Sequence, residues 1–107
     1  MSLTERPRRL RRTPALRRLV RQTRLSPAQL IWPLFVGEGL AEPLPLETMP
    51  GQFRHTLDSL AAAAETAAGL GLGGVMLFGV PSPNRRDATG SQAIDPEGIL
   101  NRGIARV

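Results

Sequence analysis

A chain of 107 residues with a formal net charge of +5 is one small domain by length. It contains no cysteine, which excludes disulfides and thiolate metal sites, and all 14 basic residues are arginine, so no lysine amine is available for a Schiff base. The charge is divided unevenly: residues 1–24 hold nine Arg and one Glu, whereas residues 25–107 hold five Arg and eight acids.

Residues 1–13 read as an arm in which Arg6, Arg8, Arg9, Arg11 and Arg12 surround Pro7. Like charges at this density repel and favour extended, solvated chain. Thr13 and Pro14 then have the form of a helix start, a hydroxyl cap before a proline suited to the first turn. Leu16, Leu19 and Val20 recur at helical spacing between Arg17, Arg18 and Arg21, giving a short amphipathic helix whose apolar stripe must cover something. Ser26-Pro27 starts a further short turn.

Residues 30–36, LIWPLFV, form a compact apolar run. Pro33 in its middle removes a ladder donor, so the residues by themselves leave strand and non-strand open. Residues 37–54 read as loop, because Pro43, Pro45 and Pro50-Gly51 interrupt any regular element, and Pro50-Gly51 suits the centre of a type II turn. The clearest helix spans residues 56–68: Thr56 caps it, Asp58 meets the positive dipole end, and Leu57, Leu60, Ala61, Ala64 and Ala68 share a face. Gly69 or Gly71 ends it.

Residues 74–78 are a short apolar run between that helix and Pro81, the pattern of a strand buried on both faces. A polar loop follows through Ile94. Asp95-Pro96 opens a last helical pattern, with Asp95 as cap, Glu97 on the dipole, and Ile99, Leu100 and Ile104 on one side. Arm, strand, helix, strand, helix is the βαβα opening of a parallel α/β fold, with the arm over residues 1–28 and the rest over 29–107.

Several polar signals have plain explanations. Gly69, Gly71 and Gly74 spell G-x-G-x-x-G, but a dinucleotide fingerprint follows a strand and opens a helix, and here the order is reversed. His55 is the only histidine and reads as a surface residue at a helix entry. Asp87, Asp95 and Glu97 suit turns and caps better than a metal site. The loop carrying Arg85, Arg86, Asp87, Gly90 and Ser91 leaves the carboxyl end of a strand, where α/β proteins place ligands; it is either a barrel-mouth loop or a solvated loop with an internal ion pair. The arm, with Arg8, Arg9, Arg11, Arg12 and Leu16, has several readings: a contact to a neighbouring subunit, a solvated tail, an organellar presequence, or a nucleic-acid-binding segment in a small basic protein. The last lacks interleaved aromatics for base stacking. No apolar run reaches the about 20 residues of a membrane-spanning helix, and the absence of cysteine fits the cytoplasm.

The sequence resembles the porphobilinogen synthases (delta-aminolevulinic acid dehydratases). The resemblance is collinear: R-P-R-R-L-R-R, the helix P-A-L-R-R-L-V-R-Q-T-R-L-S-P, LIWPLFV, M-P-G, VMLFGVP, then Arg86-Asp87, Gly90-Ser91, Ala93, D-P-E-G and N-R. It implies that residues 30–36 are a first barrel strand despite Pro33, and that the chain is an arm plus the first two βα units of an incomplete (β/α)8 TIM barrel. It further implies a dehydratase that condenses two 5-aminolevulinate molecules to porphobilinogen in tetrapyrrole synthesis through lysine Schiff bases. Zinc or magnesium serves as cofactor in the family, and an N-terminal arm wraps a partner subunit in a homo-octamer. This chain has neither Lys nor Cys, and a barrel needs about 200 residues or more, so the expectation is roughly the first third of the enzyme, binding no metal itself and inactive alone.

Overall fold

The structure is a computed structural model that describes residues 4–107. Instead of extended arm, Pro7–Arg11 form a turn of 3-10 helix, closed by Arg9 N–H to the Arg6 carbonyl at 3.1 Å and Arg12 N–H to the Arg9 carbonyl at 3.4 Å. Pro7 presets the backbone, and the exposed guanidinium groups point into water, where their repulsion is screened. Helix α1, Pro14–Val20, starts as expected: the Thr13 hydroxyl accepts the Leu16 N–H at 3.1 Å. Pro27–Gln29 make a second short turn inside a Ser26/Gln29 capping box.

Strand β1 is Ile31–Gly37. Residues 37–54 are not all loop, since β2, Leu44–Pro45, and β3, Phe53–His55, pair antiparallel there. Proline is compatible with a two-residue strand at the sheet edge, which is where β2 lies. Helix α2, Leu57–Gly69, is capped by Thr56, whose hydroxyl accepts the Ser59 N–H at 3.1 Å. It leads into strand β4, Gly74–Val80, and the chain closes with helix α3, Ile99–Arg106.

The sheet order is β2-β3-β1-β4. β1 and β4 run parallel in register from Ile31↔Gly74 to Gly37↔Val80, with α2 as the crossover. β3 reaches β1 only at Phe35 and Val36, so at Pro33 β1 has a strand on one side alone and the missing donor is tolerated.

Alternation then sorts the side chains. Leu34 and Val36 of β1 join Leu60 and Ala63 of α2 and Ile99 of α3 in one buried cluster, with Trp32, Leu57, Val75 and Leu77 packed against it. α3 comes so close to β4 that a Cβ on Gly79 would meet the Leu100 Cβ at 2.6 Å. The opposite sheet face is bare: Ile31, Met76 and Phe78 are 59%, 51% and 43% exposed, and Phe78 stacks on Phe35 with ring centroids 5.4 Å apart. β4 is therefore covered on one face, not both. On α2 the buried stripe is Leu60, Ala63 and Ala67. The expected face of Leu57, Leu60, Ala61, Ala64 and Ala68 is thus displaced, with Ala61 and Ala64 half-buried and Ala68 exposed, because alanines of equal size mark no preferred side.

α3 begins later than Asp95-Pro96 suggests. The Asp95 carboxylate accepts the Glu97 N–H at 2.9 Å and its carbonyl accepts the Gly98 N–H at 2.9 Å, so Asp95 builds a turn and Gly98 takes the cap position. His55 is half-buried on β3, with Nδ1 3.0 Å from the Ser59 hydroxyl.

Two outcomes follow from this packing. Leu60 is wholly buried, so Leu60→Ala lowers unfolding free energy by about 2–5 kcal/mol in a denaturant titration, while Met76→Ala on the open face costs far less. Burial holds the His55 pKa below its ordinary 6.5, so the unfolded chain takes up this proton first. Stability therefore declines as pH drops below that value, and His55→Gln flattens the decline in thermal melts at a series of pH values.

Candidate functional site: the loop after the fourth strand

Because Gly37 and Val80 are in register, the loops leaving β1 and β4 start side by side. Glu38, the first residue past β1, donates its N–H to the Val80 carbonyl at 3.0 Å. Its carboxylate, only 11% exposed, accepts the Ser82 N–H at 2.9 Å and pairs with the Arg85 guanidinium at 3.1 Å. The ion pair of this loop is thus not internal, between Arg85 or Arg86 and Asp87, but reaches across to Glu38. The sequence reading did not single out Glu38. Its signal was available: an acid directly after a strand, facing a second strand end followed by arginines.

Asp87 organises the rest of the loop. It accepts from the Thr89 hydroxyl at 3.1 Å, from the Ser91 N–H at 3.0 Å, and from the Ser91 hydroxyl. The Ser91 hydroxyl, then its N–H, stabilise the ionised form and bring the Asp87 pKa down to about 2. The chain can turn back on Asp87 because Gly90 adopts a left-handed conformation, φ 65°. Arg86 is exposed and borders, with Gly79, Pro81, Ile99 and Leu100, a cavity of about 350 Å³ between the loop and α3.

The other singled-out residues lie elsewhere. Arg8, Arg9, Arg11 and Arg12 are exposed on and beside the first 3-10 turn, and Arg17 returns a hydrogen bond to the Arg11 carbonyl at 2.9 Å. Leu16 is half-buried, whereas Leu19 and Val20 of the same helix are 74% and 42% exposed. Gly69, Gly71 and Gly74 mark the end of α2 and the entry to β4, with Gly71 at φ 72°. His55, Asp87, Asp95 and Glu97 do not converge: among the described residues, no group of three or more His, Asp or Glu side chains is placed to hold a metal. No helix among the described residues is long and apolar enough to cross a membrane.

Two parallel strands in register, joined by a packed helix and presenting an organised polar loop at their carboxyl ends, put the chain among the parallel α/β proteins. Comparison with known proteins makes this specific. The profile of the delta-aminolevulinic acid dehydratase family matches residues 4–107, and the chain belongs to that family. It is 56% identical over 97 residues to the delta-aminolevulinic acid dehydratase of Mycobacterium tuberculosis, covering 91% of this chain and 30% of that protein. The Streptomyces coelicolor protein of the same name is 54% identical over 102 residues, covering 95% of this chain and 31% of that protein. Among solved structures, the Toxoplasma gondii delta-aminolevulinic acid dehydratase in complex with its reaction product porphobilinogen superimposes with a TM-score of 0.88 at 32% identity, over 95% of this chain and 29% of that one. The chain thus spans about 30% of the length of these two relatives.

The two anchors of the loop are separable. Glu38→Ala leaves the Ser82 N–H without its acceptor, at a cost of about 1–3 kcal/mol, and amide exchange at residues 82–86 accelerates. Asp87 holds the loop only while ionised, so its contribution is present above the unfolded carboxylate pKa and fades as pH falls toward about 2. Ser91→Ala moves the Asp87 midpoint in a carboxyl-carbon NMR titration up toward the ordinary 3.8.

Proposed function

We propose that this chain supplies the arm and the opening two βα units of a (β/α)8 barrel in a porphobilinogen synthase, which condenses two 5-aminolevulinate molecules to porphobilinogen. One observation carries the reading: 95% of the chain matches, at a TM-score of 0.88, a dehydratase whose solved structure holds porphobilinogen. The bare apolar face of β1 and β4 supports it, because in a barrel that face lines the packed interior and β4 gains a neighbour on its free edge.

In this reading the chain contributes framework and no catalytic group. It has no lysine, so the amines that activate the substrate carbonyls by Schiff-base formation come from outside these residues. Among the described residues there is likewise no ligand cluster for the zinc or magnesium of such enzymes. The loop of Arg85, Arg86, Asp87, Gly90 and Ser91 borders the barrel mouth, held to the end of β1 by Glu38. The arm, through Arg8, Arg9, Arg11, Arg12 and Leu16, contacts a neighbouring subunit of a homo-octamer in the cytoplasm. The exposed Leu19 and Val20 support that role, since nothing in the described chain buries them.

The test is complementation. The chain alone, incubated with 5-aminolevulinate, forms no porphobilinogen. Co-expressed with the part of the Mycobacterium tuberculosis relative that this chain does not match, it restores porphobilinogen formation in a colorimetric assay. Activity of the chain alone, or a mixture that stays inactive although the two pieces co-purify, contradicts the proposal.

A further inference from the structure

β3 shapes the edge of β1 that faces away from β4. It pairs there only with Phe35 and Val36, so Ile31 to Leu34 keep a free edge. It also carries Arg54, in register with Phe35, on the sheet face where Phe35 stacks on Phe78. The Arg54 side chain then runs over the end of β1. A Cβ on Gly37 would meet its Cδ at 2.6 Å and its Cγ at 2.8 Å, so the glycine is what lets it lie there. The chain gives this cation no counter-charge. Arg54 is half-buried, its Nε is enclosed without a hydrogen-bond partner, and the ion pairs among the described residues are Glu38 with Arg85 and Asp58 with Arg106. A guanidinium held partly out of water without a partner is a cost that a carboxylate arriving from elsewhere removes.

The barrel reading says where that carboxylate comes from. A closed barrel places a last strand, parallel to β1, on the free edge of β1. β3 occupies the upper part of that edge, so the last strand pairs beside residues 31–34 and its carboxyl end comes up to Arg54. We propose that Arg54 tethers the closing strand of the barrel: its terminal nitrogens, Nη1 and Nη2, pair with a carboxylate in the first residues after that strand. Gly37 holds the tether in position by leaving room for the arginine stem. The inference rests on the barrel reading but not on the chemistry of porphobilinogen formation.

The test reads association rather than activity. The 107-residue chain, tagged, is co-expressed with the part of the Mycobacterium tuberculosis relative that it does not match, and the amount of that piece retained with it is measured. Arg54→Gln lowers the retained amount at least about tenfold, while Arg54→Lys, which keeps the charge, retains most of it. Gly37→Ala, which pushes the arginine stem aside, weakens retention as well, and the double variant is no weaker than the worse single one. The free chain gives a separate reading: Arg54→Gln melts within about 2 °C of the original, because Arg54 has no partner inside the chain. Undiminished retention of Arg54→Gln overturns this inference and leaves the barrel reading standing. So does a lower melting temperature of the free Arg54→Gln chain, or a double variant that loses the sum of both effects. Failure of the unaltered pieces to associate overturns the barrel reading and this inference together.

Discussion

The parallel pairing of β1 with β4 is the constraint on which everything else in this chain rests. Parallel neighbours cannot be joined by a tight turn, so the connection must be long and must carry a crossover helix. α2 is that helix, and its Leu60 packs onto Leu34 and Val36 from the first strand. The register then decides the site. Gly37 opposite Val80 aligns the two strand ends, and only with that alignment does Glu38 meet both the backbone of Ser82 and the guanidinium of Arg85. A shift of β4 by one residue against β1 would turn Leu77 to the open face and carry the loop after Val80 away from Glu38.

Local signals in the sequence were read well where one residue type decides the geometry. Thr13 before Pro14 and Thr56 before Leu57 start helices in the structure because a hydroxyl cap is a contact over three residues. The crossover order was legible for the same reason, since helix and strand periods differ. What was not legible depends on contacts distant in sequence. β2 and β3 are too short to show a period and exist because they pair with each other and with β1. Asp95 had the composition of a helix cap, yet the same carboxylate closes a turn with Glu97, and local composition cannot rank those two uses. The loop residues were recognised as a cluster, but their partners were not: Ser82 and Glu38 are 44 positions apart. An arginine beside an aspartate invites a local ion pair, and the fold placed a better-buried carboxylate within reach instead.

The two faces of the sheet have opposite characters. One is sealed by α2 and α3, so tightly that Gly79 has no room for a side chain beside Leu100. The other presents Ile31, Phe35, Met76 and Phe78 with no element of the described chain upon it. A face this apolar is unusual as a water-facing surface of a small protein. Family membership over residues 4–107 gives it a context, since the Mycobacterium tuberculosis relative is more than three times as long as the matched region.

The Glu38 clasp also bears on the order in which the chain can organise itself. An ion pair across so large a separation closes a loop that includes α2 and both short strands, an entropy loss that no single contact of this kind can offset. It can persist only after the strands have closed most of that distance. The ordering of the loop around Arg85 is therefore a late event, a latch that engages when the strand pair is already home, and its release would be an early sign that the pair is coming apart.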